Sequence, residues 1–178
     1  DFCELITGEQ SHGLLETRSA NRKLWAHNGL NPEGWSRTIQ FKQDVIKRAA
    51  AAKPGEPVTL KYVFETDPKL QFQELFIVVE HPWHENMRLN GSPLSHSLSE
   101  KWLDPSFMVL EAGKTVIPGR NELILRRSTF NADFEVANVY VVGNFSLSPA
   151  EMGFRLSQEI APTIGSWKES GSPFYDRG

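Results

Sequence analysis

The feature that most constrains the fold of this chain is a series of short, strand-like segments that runs from Pro57 onward. In the clearest of them, Val58–Thr66, every second residue from Val58 to Phe64 is apolar, which is typical of a strand with one buried face. Turn signals rich in Gly, Pro and Asn recur at intervals of 8–14 residues. No long helical pattern interrupts the series, so it predicts an all-β fold, an antiparallel sandwich or barrel, rather than βαβ units.

Five further segments extend the series. Leu75–Glu80 is a continuous apolar run, so we expect a strand that is buried on both faces. Met87–Leu94 contains Asn90-Gly91 between apolar arms, which is the strongest short-range signal for a β-hairpin. The other predicted strands are Phe107–Leu110, Asn121–Arg127 after the turn Ile117-Pro118-Gly119, and Phe134–Phe145. We expect the tail from Ser146 onward to be irregular.

The N-terminal third has a different pattern. Residues 1–34 are rich in Gly and Asn, and we expect a loop with one short strand near Cys3–Ile6. Trp35–Phe41 is a candidate short strand, and Lys42–Lys53, with its Ala run and the following Pro54-Gly55, is the one predicted helix. We therefore predict an N-terminal extension (1–56) whose helix (42–53) packs on a sandwich (57–178). We expect the whole to be a single domain and a fragment of a larger chain.

Composition excludes two classes of partner. The 178 residues carry 19 Lys and Arg against 22 Asp and Glu, a net charge of -3, which is unlike the basic footprint of a nucleic-acid-binding protein. No apolar run approaches the length of about 18 residues that indicates a membrane span. The single cysteine, Cys3, cannot form an internal disulfide, so the fold does not depend on oxidation.

The common catalytic motifs are missing from the sequence. There is no GxSxG, P-loop or HExxH pattern. His81, His84 and Glu85 form a metal half-site at most, because no second cluster of ligands is visible, and we favour a polar turn there. We expect no metal site and no cofactor; a structural calcium ion in the sandwich is left open. The acidic residues near strand ends that could supply a glycosidase acid pair are Glu65, Glu80, Asp104, Glu111, Glu122 and Glu135.

The tryptophans give a more specific hypothesis. Trp83, Trp102 and Trp167 fall in predicted loops beside polar residues, and a sugar ring packs its apolar CH face on such a side chain. Burial against the end of a sandwich is the alternative for each of them. We interpret Trp25 and Trp35 as structural.

Several segments carry a resemblance to a known family. They are Leu89-Asn90-Gly91, Trp102 to Phe107, Ile117 to Leu125, Val139 to Phe145, Gly165-Ser166-Trp167, and Gly171 to Tyr175. Together they resemble the galactose-binding-like β-sandwich domains of bacterial glycoside hydrolases, namely those of family 2 hydrolases and of α-L-rhamnosidase-like enzymes. The resemblance covers residues 57–178. The chain departs from the pattern at Asn144, where such segments often have Asp, and after Tyr175, where the pattern is cut short.

The resemblance implies a noncatalytic jelly-roll module that binds a glycan or oligosaccharide during polysaccharide degradation. Catalysis would lie in another domain of the same polypeptide, in a secreted, periplasmic or cell-surface protein. The expected aromatic platforms are Trp83, Trp102, Trp167 and Tyr175, and the expected polar selectors are His84 and Asp104. Two alternatives stay open: a structural module that packs against the catalytic domain, and an intrinsic glycosidase that uses strand-end carboxylates.

Overall fold

The computed structural model describes residues 2–30, 55–70, 74–80, 85–96, 102–103, 105–131, 134–150, 153–160 and 164. Over these residues the chain forms twelve β-strands and one α-helix. In chain order they are β1 (Phe2–Thr7), β2 (Gln10–Glu16), α1 (Thr17–His27), β3 (Val58–Thr66), β4 (Phe76–Glu80), β5 (Asn86–Leu89), β6 (Ser92–Pro93), β7 (Ser95–His96), β8 (Phe107–Glu111), β9 (Gly119–Arg127), β10 (Val139–Val142), β11 (Ser146–Pro149) and β12 (Phe154–Ser157).

The strands form two sheets. The large sheet has the order β11-β12-β3-β9-β5-β6, with β1 beside β3 and β2 beside β1, and the small sheet has the order β10-β4-β8-β7. Every pairing is antiparallel except β12 with β3. The predicted all-β, mainly antiparallel fold with two sheets, as in a sandwich, is confirmed.

One hydrophobic core joins the two sheets. From the large sheet, Leu60 of β3 lies opposite Leu125 of β9, and both are buried. From the small sheet, Ile77 and Leu110 are paired across β4 and β8 and belong to the same buried cluster. The alternation predicted for Val58–Thr66 is confirmed, because every second residue from Val58 to Phe64 faces this core, while the intervening residues, including the exposed Val63, face outward.

The expectation of a loop over residues 1–34 was wrong for much of that range. β1 confirms the short strand near Cys3–Ile6, but β2 and α1 were missed. The Glu16 carboxylate caps α1 by accepting a hydrogen bond from the Ser19 backbone N–H. Trp25 is buried, as predicted, and its indole N–H donates to the Phe134 carbonyl at 3.1 Å. The predicted strand 35–41, the predicted helix 42–53 and Trp35 lie outside the described residues.

The C-terminal third differs from prediction in two places. Only Val139–Val142 of the predicted strand Phe134–Phe145 is a strand. The residues before it are held by side chains instead: the Tyr62 hydroxyl donates to the Ala137 carbonyl at 2.9 Å. The tail after Ser146 is not irregular throughout, because β11 and β12 form a hairpin there and β12 pairs with β3. These short strands bury few apolar residues, so their pattern gives little periodic signal.

A buried polar network closes one end of the large sheet. Asn90 and Gly91 both have positive φ (51° and 79°), as a type I′ hairpin requires, so the predicted hairpin is confirmed. Asn121 is 0% exposed, and its side-chain oxygen accepts hydrogen bonds from the Ile117 N–H and the Asn90 amide. Its amide donates to the carbonyls of Ile117 and Gly119. The network therefore fixes the β5–β6 hairpin against the turn before β9.

Candidate functional site

The outer face of the small sheet, which points away from the core, is built from three adjacent strands. β4 lies between β10 and β8, with Tyr140 opposite Val78 and Val78 opposite Val109. Residues paired across strands, and residues two apart along a strand, share a face. The outward-facing residues of these strands are Phe76, Val78, Glu80, Phe107, Val109, Glu111, Tyr140 and Val142.

The centre of this face is buried although it does not belong to the core. Val78 is 0% exposed and Val109 is 4% exposed, yet neither belongs to the main buried cluster. The prediction that Leu75–Glu80 is buried on both faces is thus confirmed for the middle of β4. The burial of this centre requires side chains that cover it from outside.

Three aromatic rings meet over the outer face and form what we call the aromatic cluster: Trp102, Phe107 and Tyr140. Trp102 lies 5.1 Å from Phe107 and 5.0 Å from Tyr140 between ring centroids, and Phe107 lies 6.0 Å from Tyr140. Phe107 and Tyr140 lie on strands that are two positions apart in the small sheet, which corresponds to about 9–10 Å between those strands. The centroids of the Phe107 and Tyr140 rings are closer to each other than their two strands are. The two side chains therefore lean towards each other across β4, on the side where Val78 is buried.

The cluster is half-buried rather than enclosed. All three of its residues have intermediate exposure, and the mutual distances and the steep ring angles of 82° and 76° are those of favourable edge-to-face pairs. Phe107 and Tyr140 contact Trp102 from two strands, so the indole has a defined position while part of it still reaches solvent. This is an aromatic surface with fixed orientation.

The residue after Trp102 is unusual in two respects. Leu103 has φ of 61° and is 80% exposed. A bulky residue other than glycine rarely adopts this left-handed conformation, and a leucine at such an exposure contributes nothing to a core. Strain of this kind concentrates at functional positions, and here it lies directly beside the aromatic cluster.

At the outward-facing positions of β4, β8 and β10, the charged side chains are the carboxylates of Glu80 and Glu111. Glu80 is the cross-strand neighbour of Phe107, and Glu111, opposite Phe76, is exposed. Along β8, Glu111 is four residues from Phe107, which corresponds to about 13 Å. Glu80 and Glu111 are therefore farther apart than the roughly 5 to 9.5 Å that separates a glycosidase acid pair, and they do not form one.

The other candidate acids are placed elsewhere or engaged. Glu65 and Glu122 lie on the outer face of the large sheet, and Glu65 accepts hydrogen bonds from Arg155 at 2.8 and 3.2 Å. Glu85, which the sequence places in the possible metal half-site rather than among these acids, accepts hydrogen bonds from the Ser128 hydroxyl and backbone N–H, which lower the pKa of its carboxyl. Asp104 lies outside the described residues. Of the described candidate acids, Glu65 and Glu122 therefore lie on a different sheet from Glu80 and Glu111.

Of the six predicted carbohydrate contacts, the structure describes Trp102. Trp83, His84, Asp104, Trp167 and Tyr175 lie outside the described residues. The structure brings Trp102 together with Phe107 and Tyr140, which the sequence reasoning treated as ordinary strand residues. A signal for them existed: both are aromatic and lie at outward-facing positions of their strands.

A second group of titratable side chains was not anticipated. His12 and Thr7 are hydrogen-bonded at 2.7 Å, the His12 and His27 rings lie edge to face at 5.4 Å, and His27 lies 3.7 Å from Glu56. Burial, with the nearby His27 and Lys23, lowers the pKa of His12. Within the described ranges, no group of three or more His, Cys, Asp or Glu side chains could hold a metal ion. The group joins the β1–β2 hairpin to the end of α1.

Comparisons with protein-family models, with curated proteins and with solved structures find no match to this chain. In the part of the chain that the structure describes, no helix has the length and apolar character needed to cross a membrane. A functional hypothesis therefore depends on the geometry of the aromatic cluster and on the sequence pattern.

Proposed function

We propose that this chain is a noncatalytic carbohydrate-binding module, a jelly-roll β-sandwich of the galactose-binding-like type within a glycoside hydrolase. The observation that carries the proposal is the half-buried aromatic cluster on the outer face of the small sheet. Trp102, which the sequence pattern selects as a sugar platform, is the member of the cluster that comes from a loop beside an exposed, strained leucine.

The chemistry of a sugar ring suits this surface. A pyranose presents apolar CH groups on one face and hydroxyls around its edge, so it packs on an indole while its hydroxyls bond to polar neighbours. Phe107 and Tyr140 hold the Trp102 ring in place before any ligand arrives. A preorganised ring loses little conformational entropy on binding, which favours affinity.

The rest of the proposal comes from the resemblance. Trp83, Trp167 and Tyr175 would extend the aromatic platform, and His84 and Asp104 would select hydroxyl positions. Catalysis would belong to another domain of the same polypeptide, and the protein would be secreted, periplasmic or on the cell surface. The separation of Glu80 from Glu111 supports a noncatalytic role over an intrinsic glycosidase.

A second candidate uses the same surface. The exposed Leu103 beside the aromatic cluster also suits an apolar contact with a neighbouring catalytic domain, which would make the module structural. The two candidates differ in what the isolated chain does. A glycan-binding module binds sugar by itself, whereas a structural module binds none and associates with its catalytic domain.

The test is a titration calorimetry series on the purified chain with neutral polysaccharides, including galactan, xylan and glucomannan. We expect binding to at least one, and a loss of tenfold or more in affinity for Trp102→Ala. Phe154→Ala is the control, because it truncates an exposed aromatic side chain away from the aromatic cluster, on β12 of the large sheet. Circular dichroism must show that both variants remain folded.

Two outcomes contradict the proposal. If the unmodified chain binds no glycan, the carbohydrate-binding role is wrong, and association with the catalytic domain becomes the favoured reading. If a glycan binds but Trp102→Ala and Phe154→Ala behave alike, the binding site lies away from the aromatic cluster.

A further inference from the structure

The structure describes two tyrosines, and their hydroxyls have different surroundings. Tyr62 is 8% exposed, and its hydroxyl donates a hydrogen bond to the Ala137 carbonyl at 2.9 Å. Tyr140 is half-buried in the aromatic cluster, and no hydrogen bond joins its hydroxyl to another described residue. The Tyr62 hydroxyl therefore contributes to the fold, whereas the Tyr140 hydroxyl remains open to solvent or to a ligand.

We infer that Tyr140 is a specificity-determining residue of the aromatic cluster and that its hydroxyl forms a hydrogen bond with a hydroxyl group of the bound glycan. The inference rests on the proposed carbohydrate-binding function and adds a polar contact to the aromatic platform. The observation that carries it is a hydroxyl that bonds to no described residue, on a ring that two aromatic neighbours hold in place.

The packing of the aromatic cluster does not need the Tyr140 hydroxyl. The Tyr140 ring lies 5.0 Å from Trp102 and 6.0 Å from Phe107 between centroids, and Tyr140 pairs with the buried Val78 across β10 and β4. A phenylalanine at this position would make the same ring contacts, as Phe107 does from β8. The hydroxyl therefore adds a hydrogen-bonding group that the sheet itself does not use.

The angle between the rings gives Trp102 and Tyr140 different roles. Their planes are inclined at 47°, so the two rings do not form one flat platform. A sugar whose CH face lies flat on the Trp102 indole meets the Tyr140 ring at an angle, at the edge where the sugar carries its hydroxyls. Because the two centroids are 5.0 Å apart, the Tyr140 side chain is a direct neighbour of that sugar.

The position of the hydroxyl is fixed before a ligand binds. The phenolic oxygen lies in the plane of the Tyr140 ring, and Trp102 and Phe107 both contact that ring. A preorganised group loses little conformational entropy when it forms a bond. A phenol both donates and accepts hydrogen bonds, and one neutral hydrogen bond of this kind strengthens binding by about three- to tenfold.

The experiment is a calorimetric titration of the full chain and three variants with galactan, xylan and glucomannan. For a polysaccharide that binds, we expect Tyr140→Phe to weaken binding by about three- to tenfold and to leave the urea midpoint of unfolding unchanged. Tyr62→Phe is the matched control, because it removes a hydroxyl that bonds within the fold, so it should lower the midpoint and leave the affinity unchanged. Tyr140→Leu, which also removes the ring beside Trp102, should weaken binding further.

Three outcomes contradict the inference, and they are distinguishable. If Tyr140→Phe binds within about twofold of the unmodified chain, the hydroxyl makes no contact with the glycan, although the carbohydrate-binding function stands. If Tyr140→Phe lowers the unfolding midpoint as far as Tyr62→Phe does, the hydroxyl contributes to the fold rather than to binding. If the unmodified chain binds none of the three polysaccharides, the carbohydrate-binding function is wrong, and this inference with it.

Discussion

Asn121 offers the sharpest test of what holds this fold together. Its side chain is fully buried and makes four hydrogen bonds of 2.8–3.0 Å, to the Ile117 N–H, the Ile117 carbonyl, the Gly119 carbonyl and the Asn90 amide. The variant Asn121→Ala removes all four. It also leaves the Ile117 N–H without the acceptor that this side chain provides.

The expected cost follows from the number of bonds. A buried hydrogen bond contributes about 1 kcal/mol net, and a buried group that loses its partner costs about 1–3 kcal/mol. Four bonds therefore predict a loss of about 3–4 kcal/mol, which is a large part of the roughly 5–15 kcal/mol that stabilises a typical domain. The free energy of unfolding of such a domain falls by about 2 kcal/mol for each molar of urea, so the urea concentration at the unfolding midpoint should fall by about 1.5–2 M.

Urea unfolding, followed by circular dichroism and by tryptophan fluorescence, measures this loss, and coincident transitions establish that one free energy describes it. Asn144→Ala is the matched control. Asn144 is exposed and makes a hydrogen bond to Glu74 at 3.2 Å, so we expect a change within about 0.5 kcal/mol. The reasoning is refuted if Asn121→Ala costs less than about 1 kcal/mol. It is also refuted if Asn90→Ala and Asn121→Ala are additive, because residues in one network should couple.

Two further predictions concern the core. Tyr62→Phe keeps the ring but removes the hydroxyl that donates to the Ala137 carbonyl, and we expect a loss of about 1–2 kcal/mol in urea unfolding; an unchanged midpoint would show that this bond is dispensable. Burial raises the pKa of the Cys3 thiol from 9.0 to about 11. The folded state therefore holds this proton more tightly than the unfolded state does. As a result, the free energy of unfolding should fall by about 2 kcal/mol as the pH rises from about 9 to about 11. Unfolding midpoints at pH 8 and pH 10.5 measure this fall, and Cys3→Ala should reduce it; an equal fall in that variant contradicts the assignment to Cys3.

Local signals predicted the parts of the fold that local chemistry determines. The alternation of Val58–Thr66 identifies both the bounds and the buried face of β3, because a strand whose sheet packs on a core with one face buries every second residue. Asn90-Gly91 identifies the β5–β6 hairpin, because few other dipeptides accept two positive φ angles. In each case, the residues that determine the local structure lie within a few positions of one another in the sequence.

The parts that were missed depend on partners distant in the chain. β12 pairs in parallel with the end of β3, some ninety residues away, and Leu156 is its one buried residue. Helix α1 has a polar sequence, and its stability comes from Trp25, which inserts beside Phe130 and bonds to Phe134. The buried residues of α1, namely Thr17, Ala20, Leu24 and Trp25, do have helical spacing, but one of them is polar and one is small, so the apolar stripe is weak. The short strand β12 gives no periodic signal at all.

The candidate site shows the same division. Trp102 could be selected from sequence because a loop tryptophan beside polar residues has few common roles, but its partners could not. Phe107 and Tyr140 meet because β8 and β10 both flank β4, and strand order is a property of the whole sheet rather than of either segment.

The segments that carry the family resemblance therefore divide between two physical tasks. Asn90, Gly119 and Asn121 close the end of the large sheet through a buried network, whereas Trp102, Phe107 and Tyr140 form a half-buried surface on the small sheet. A chain that retained the first group and lost Trp102 would keep the fold and still resemble the family. Because resemblance alone does not separate these cases, the proposed binding role depends on the aromatic cluster.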